Sequence, residues 1–254
     1  MNRRKRISNS QLYKSNKIIF QDKSAVIACL LVDPQPLELI LDVTAAPGMK
    51  TSLIQELTHN QSVIIGGDIH RKRLQETEKL MSQLKTKNVH LIQWDGANLP
   101  LRTEVKSNQQ IFDKILLDAP CTGSGTFLKD PEMKWQQNKN ILLKNRIIQE
   151  KILKQLKKYI QEGTTLIYTT CSLYPEEGEH QINKLINKPW FKEMKPQPLI
   201  KGISPAYSIN ESLTALITSQ EKNIIGLGRI FPAKKHTQGF FYAKFTRCIV
   251  PPHE

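Results

Sequence analysis

Residues 112–127 read FDKILLDAPCTGSGTF, and the fold is decided there. Ile115, Leu116 and Leu117 form an unbroken apolar run with no helical spacing. That is the pattern of a strand buried on both faces, and such strands belong to parallel sheets. Asp118 closes the run, Pro120 stops it, and Cys121 opens a loop in which Gly123 and Gly125 leave the backbone bare enough for a ligand to approach. Ligands in open α/β sheets bind at the carboxyl ends of strands, so a carboxylate and a thiol at that end form a candidate active site. The competing reading is an Asp that merely caps a turn.

Upstream, residues 39–43 form another buried strand, which runs into Thr44-Ala45-Ala46-Pro47-Gly48-Met49-Lys50-Thr51 ahead of an apolar helix. The small side chains let a ligand lie against the turn, and the helix amino terminus offers unpaired N–H groups. A Walker A loop needs Gly directly before Lys, where this chain has Met49, and a dinucleotide loop needs GxGxxG. Nucleoside triphosphatases and dinucleotide enzymes are therefore disfavoured. The strand over 62–67 ends at Asp68, where an acid in a doubly wound sheet typically takes the two hydroxyls of a ribose. An amphipathic helix over 70–85 leads to a strand over 89–94, which ends at Asp95, placed to meet an adenine or its surroundings. Three strands that end in ligand-facing turns indicate an adenosine-containing cofactor.

Downstream, Asp130-Pro131-Glu132-Met133-Lys134-Trp135 is an irregular connection whose Trp135 either stacks on a base or packs inside. A long helix over 140–159 follows, then a strand over 164–170 that delivers Cys171 and Ser172 at its carboxyl end. Glu176, Glu177 and Glu179 open a further helix, where the dipole favours acids. Residues 188–223 hold Pro189, Pro196, Pro198 and Pro205 with little period, the mark of a loop-rich insertion or lid. Strands over 229–232 and 239–245 read as a closing antiparallel hairpin with His236, Thr237 and Gln238 in the turn. In the usual strand order, the strand before Cys121 lies between the first strand and the strand before Cys171. Neighbouring strands are about 4.8 Å apart, so both thiols and Asp118 are expected in one pocket. Gly123-Ser124-Gly125 has the wrong spacing for a serine elbow and there is no Asn-Pro-Pro-Tyr, which leaves a thiol nucleophile.

Composition sets the context. The chain has 254 residues, 39% of them apolar, enough for a sizeable core in one domain with a tail. Lys and Arg number 37 against 23 Asp and Glu, and a net charge of +14 points to a polyanionic partner, most simply nucleic acid. Cys29, Cys121, Cys171 and Cys248 form no CxxC pair, so neither a zinc knuckle nor a disulfide framework is indicated, and a reducing cytoplasm fits. The scattered histidines form no ligand set, and no metal is expected. The longest apolar run, 25–32, is too short to span a bilayer and follows charged Asp22 and Lys23, so a soluble, non-secreted protein is expected. Residues 1–20, opening with Asn2-Arg3-Arg4-Lys5-Arg6, read as a basic tail, and 21–254 as one catalytic domain.

Taken in order, QDKSA, LDVTAAPGMKT, Asp68 with Arg73, Asp95, DAPCTGSG, DPEMKW, YTTCSLYPEEGE and RIFPAKKHTQGFFYAKF span residues 21–247. In these motifs the chain resembles the sun family (Nol/Nop/Sun) of RNA (cytosine-5) methyltransferases. The resemblance implies an α/β, Rossmann-like class I methyltransferase fold with a mostly parallel seven-stranded sheet and a C-terminal antiparallel hairpin. It implies S-adenosylmethionine as cofactor, with Thr44, Ala45, Ala46, Pro47, Gly48, Met49, Lys50, Asp68, Arg73, Asp95 and Asp118 as its contacts. Cys171 is implied as the nucleophile that adds to carbon 6 of cytosine, Asp118 as the group at the reacting base, and Cys121 as the thiol that assists product release. Thr44 stands where the family often has Cys, and Met49 where it often has Gly. The implied substrate is a cytidine in structured RNA, with tRNA ranked ahead of rRNA. Relatives usually carry an RNA-orienting region before the QD motif, so a partner protein is expected to supply part of the recognition here. Two readings compete. A non-catalytic RNA-binding or assembly protein on this scaffold is argued against by the two thiols together with Asp118. A DNA methyltransferase would place its nucleophile in the Pro-Cys loop and need no Thr-Cys-Ser cysteine.

Overall fold

A computed structural model describes residues 7–101, 112–215, 217–220, 223–232 and 237–248. The apolar runs become β1 (Leu39–Asp42), β2 (Val63–Asp68), β3 (Val89–Gln93), β4 (Lys114–Asp118) and β5 (Thr165–Thr170), parallel and ordered β3-β2-β1-β4-β5. Leu41 lies beside Ile115, and Asp118 beside Thr169. The order reverses between β1 and β4, which opens a crevice at their carboxyl ends.

Both faces of the central strands are covered, which is why successive residues in their middles are apolar. Ile40, Leu116 and Ile167 pack in one layer with Cys29 and Val32 of α2 (Lys23–Val32) and Ile54 of α3 (Met49–Leu57). The alternate residues Leu41, Ile115, Leu117 and Tyr168 pack in the other layer, with Ile152, Leu153 and Leu156 of α5 (Lys139–Leu156). Asp22 caps α2, accepting Ser24 N at 2.9 Å, and Asn138 caps α5, accepting Asn140 N at 2.8 Å. Between β2 and β3 runs α4 (Arg71–Leu84), which buries Leu74, Thr77 and Met81. The tail is less featureless than its composition suggests. Its described part holds a helical turn, α1 (Gln11–Lys14), and the Tyr13 ring lies 5.3 Å from that of Phe20; residues 1–6 lie outside the described residues.

The second half of the sheet departs from the expectation of seven strands. The anticipated hairpin is present as β10 (Leu227–Ile230) and β11 (Phe240–Arg247), with β11 antiparallel to both β5 and β10. The segment expected to be a loop or lid adds two more strands. β6 (Met194–Pro196) pairs with the far end of β11, and β7 (Ser204–Pro205) pairs with β10, so among the described residues the sheet has nine strands. Runs this short cannot display an alternating pattern, and their prolines read as breakers although proline is tolerated at sheet edges. β8 (Thr218–Gln220) and β9 (Asn223–Ile225) form a separate two-stranded sheet. In the hairpin connection His236 lies outside the described residues. Thr237 and Gln238 are buried against α2, where Thr237 Oγ1 donates to Asp22 Oδ1 (2.8 Å) and Ser24 Oγ to Gln238 O (2.6 Å). No described helix is long and apolar enough to cross a membrane.

Candidate active site

Adjacent placement of β4 and β5 carries their following loops to one point, where Cys121 Sγ and Cys171 Sγ stand 3.2 Å apart, both free. The loops are also joined through their backbones. Gly125 N donates to Cys171 O at 2.9 Å, and Gly239 N to Gly125 O at 2.8 Å. A Cβ on Gly125 would come within 2.3 Å of Gly239 O and 2.8 Å of Cys171 O, so this close approach requires glycine. The Cys121 thiol is held well above its ordinary pKa, first by its hydrogen bond to Cys171, then by burial, and further by charge on Cys171 and Glu177. In this contact either sulfur can be the donor.

Beside the thiols, Asp118 Oδ2 meets Lys50 Nζ at 2.5 Å, while its Oδ1 accepts from Thr169 Oγ1 at 3.0 Å and its backbone oxygen from Thr44 Oγ1 at 2.8 Å. Burial works to lower the Lys50 pKa, yet the Asp118 charge and hydrogen bond outweigh it and raise the pKa above its ordinary value. The sequence groups Lys50 with the cofactor loop. Its amine is engaged by the carboxylate at the thiol pocket, so the first turn of α3 serves both halves of the site.

The cofactor half is built on the turn from Thr44 to Lys50. Gly48 takes φ 91° to start α3, and Arg73 Nη2 donates to Ala46 O at 2.6 Å. Arg73 Nη1 also lies 3.3 Å from Asp68 Oδ2, so one guanidinium links the acid of β2 to the turn after β1. Asp68 is 4% exposed, and its Oδ1 accepts His70 N at 2.9 Å. Asp95 is exposed two residues past β3, with Oδ1 accepting Ala97 N at 2.9 Å. Beneath the turn, Thr51 Oγ1 donates to buried Asp42 Oδ2 at 2.7 Å and fixes α3 to the end of β1. The donor set fits an adenosine-bearing group, with a carboxylate for ribose hydroxyls and a small-residue turn leading to a helix amino terminus.

Behind the thiols lies a layer that the sequence did not disclose. Glu177 and Glu179 were expected to favour a helix dipole. They end a 3-10 turn (Pro175–Glu177) and begin α6 (Glu179–Ile186), and both are fully buried. Glu177 accepts Thr122 N at 2.9 Å and Thr122 Oγ1 at 2.6 Å. Glu179 pairs with equally buried Arg229 at 2.5 Å, and Arg229 Nη1 donates to Ser172 O at 2.7 Å. The Arg229 guanidinium lies 4.7 Å from the Tyr207 ring and 5.1 Å from the Phe241 ring. Two acids spaced two apart just beyond Thr-Cys-Ser were the available signal, but nothing nearby in sequence names their partners. Trp135, by contrast, does not pack inside: it is 88% exposed, on the loop that follows Cys121. Among the described residues no group of His, Cys, Asp and Glu is placed to hold a metal ion.

Comparison with known proteins bears on the family and the fold. Residues 29–246 match the family model for the 16S rRNA methyltransferase RsmB/F. A probable ribosomal RNA small subunit methyltransferase B from Synechocystis is 32% identical over 90% of this chain and 47% of its own length. A tRNA (cytosine(72)-C(5))-methyltransferase from Pyrococcus horikoshii is 30% identical over 95% of this chain and 55% of its own. The crystal structure of NSun6 from Pyrococcus horikoshii with SFG superposes with a TM-score of 0.77 at 29% identity, covering 96% of this chain and 56% of that one. The chain spans about half the length of the curated relatives it matches.

Proposed function

The chain belongs to the RsmB/F methyltransferase family, and from that membership we propose that it methylates carbon 5 of a cytidine in structured RNA through a covalent adduct at carbon 6. The observation that carries the mechanism is the thiol pair 3.2 Å apart beside the Lys50–Asp118 ion pair. The relatives are named for ribosomal and for transfer RNA, so both are substrates to test. SFG in the Pyrococcus neighbour is an analogue of S-adenosylmethionine, which supports that compound as the methyl donor here. Asp68, Arg73 and the Thr44–Lys50 turn would hold it, with Asp95 at the adenine end. When bound, it supplies the methyl group as an electrophile.

Carbon 5 of cytosine is a poor nucleophile, so a thiolate must add to carbon 6 first. Cys171, at the end of β5, loses its proton to solvent and makes that bond, and the ring becomes an enamine able to attack from carbon 5. As sulfur adds, ring nitrogen 3 takes up the displaced electron pair and a solvent proton, and Asp118, oriented by Lys50 and Thr169, accepts the new N–H; that proton returns to solvent when the adduct breaks. After methyl transfer Cys171 is a thioether and no longer holds the Cys121 pKa up, so Cys121 loses its proton to solvent and takes the hydrogen from carbon 5. The freed electron pair restores the carbon 5–carbon 6 double bond, and the carbon–sulfur pair returns to Cys171 as thiolate. The target base must first leave its stack, which costs a few kcal/mol.

Denaturing gels with substrate RNA and S-adenosylmethionine separate the two thiols. Cys121→Ala is expected to methylate once and remain attached, giving a slow, protease-sensitive RNA band. Cys171→Ala and the double variant are expected to give none. A band from Cys171→Ala that depends on Cys121 would reverse the roles, and full turnover in both single variants would end the thiol mechanism.

A further inference from the structure

Glu177 and Glu179 are both fully buried, but they serve different loops. Glu179 is neutralised by Arg229, whose Nη1 grips Ser172 O, next to Cys171. Glu177 is met by neutral donors: Thr122 N at 2.9 Å, Thr122 Oγ1 at 2.6 Å and Gln149 Nε2 at 3.3 Å. The same Gln149 Nε2 donates to Pro120 O at 2.8 Å. Pro120 and Thr122 flank Cys121, so one carboxylate and one amide, both fully buried, clamp the backbone of the second thiol from either side. Tyr168 Oη donates to Glu177 O at 2.6 Å and fixes the clamp to β5.

The charge on Glu177 is not needed for packing. A glutamine of the same size can accept the same Thr122 N–H, and burying a carboxylate among neutral donors costs free energy. What the charge adds is a field at the neighbouring sulfur, where it works with the Cys171 hydrogen bond and burial to keep the Cys121 proton in place. We infer that Glu177 is the positioning residue of Cys121, setting the orientation and protonation of the second thiol, and so controls release of methylated RNA rather than transfer of the methyl group. The release half of this inference rests on the function proposed above; the positioning half does not.

The test has two arms. The first uses the full chain alone carrying Cys171→Ala, so that Cys121 reacts without its partner, and follows iodoacetamide labelling of Cys121 by mass spectrometry across pH. Charged or titratable groups around that sulfur are Glu177 and Tyr168, with Glu179 and Arg229 behind Tyr168 and the Lys50–Asp118 pair at the neighbouring strand end. Adding Glu177→Gln removes one negative charge, so the labelling midpoint is expected to fall and the rate below it to rise by about threefold or more. An unchanged curve overturns the inference whatever the protein does to RNA.

The second arm gives the otherwise wild-type chain S-adenosylmethionine and in vitro transcripts of small-subunit rRNA and tRNA. Glu177→Ala is expected to slow turnover about tenfold or more and to accumulate the RNA adduct, with single-turnover methyl transfer within about threefold of wild type. Glu177→Gln is expected to restore most of the release rate, because it keeps the Thr122 N–H bond. Thr122→Val, which loses only the Oγ1 contact, is expected to show a milder form of the same defect and replaces Glu177→Ala if that variant does not fold. Equal loss of transfer and release with a lowered melting midpoint would overturn the inference by making Glu177 merely structural. A wild-type protein that methylates neither transcript counts against the proposed function and the release half together, while a shift in the first arm still supports positioning.

Discussion

Asp42 is an acid whose ionisation this fold opposes. It is 1% exposed at the end of β1, and burial raises its pKa from 3.8 to about 6 against the stabilising hydrogen bond from Thr51. Between those values the unfolded chain has released this proton and the folded chain still holds it, so stability falls as pH rises through that window. A difference of about two pKa units corresponds to about 3 kcal/mol, lost in full above the folded value. Asp42→Asn is expected to abolish that fall, checked by urea unfolding of both proteins at about pH 4 and about pH 6.5; an equal fall in the variant would assign it elsewhere. Legibility at this scale depended on whether partners could be inferred from strand order. Cys121 and Cys171 were expected to meet because each ends a strand and the strands were expected to be neighbours. The Lys50–Asp118 pair joins residues 68 apart, and no local pattern signals it. Glu177 and Glu179 read as acids favoured by a helix dipole because their partners, Gln149 of α5 and Arg229 of β10, are remote in sequence.

Among the elements, β10 shows how a buried ion pair supports the loop that bears Cys171. Arg229 is fully buried, pairs with Glu179 and holds Ser172 O. Arg229→Ala leaves Glu179 as a lone buried charge and is expected to cost about 3–5 kcal/mol, read from the shift in denaturant midpoint. A change below about 1 kcal/mol would mean that water reaches Glu179 in the native protein. The connection from the Cys121 loop to α5 presents the opposite case. Met133 of this connection abuts Gly123, where an added Cβ would lie 2.8 Å from its Cε, and Trp135 is 88% exposed beside it. A base stacked on that indole is expected to contribute about 1–3 kcal/mol, so Trp135→Ala should weaken RNA binding by that amount in a filter or anisotropy assay and leave the melting midpoint unmoved. Lowered stability with unchanged RNA affinity would return Trp135 to a packing role. The central strands and helices were legible because their apolar runs and stripes are long. β6 and β7 were not, since two or three residues bounded by proline carry no period.

At the scale of the whole molecule the charge is unevenly spread. Residues 128–158, the Trp135 connection and α5, carry nine of the 37 Lys and Arg and only three acids. RNA affinity is therefore expected to fall linearly with the logarithm of salt concentration, as counterions are released from phosphates. Deleting residues 1–6 removes Arg3, Arg4, Lys5 and Arg6, and is expected to flatten that slope by up to about 3 if all four touch phosphate. An unchanged slope would mean that the tail does not touch the RNA. The sheet order has a further consequence, for how the protein is made. β5, whose end carries Cys171, has β4 on one side and β11 on the other. Contacts such as Ser24 to Gln238 close a span of 214 residues. Pairings so distant in sequence form slowly, because a long loop must close before they repay its entropy. On the ribosome, β1 to β4 and their helices emerge and can pack first, while β5 keeps an open edge until Phe240–Arg247 is synthesised. The strand that ends at Cys171 is thus among the last parts of the core to be locked, and a nascent chain has its Thr44–Lys50 turn before it has a settled thiol pocket.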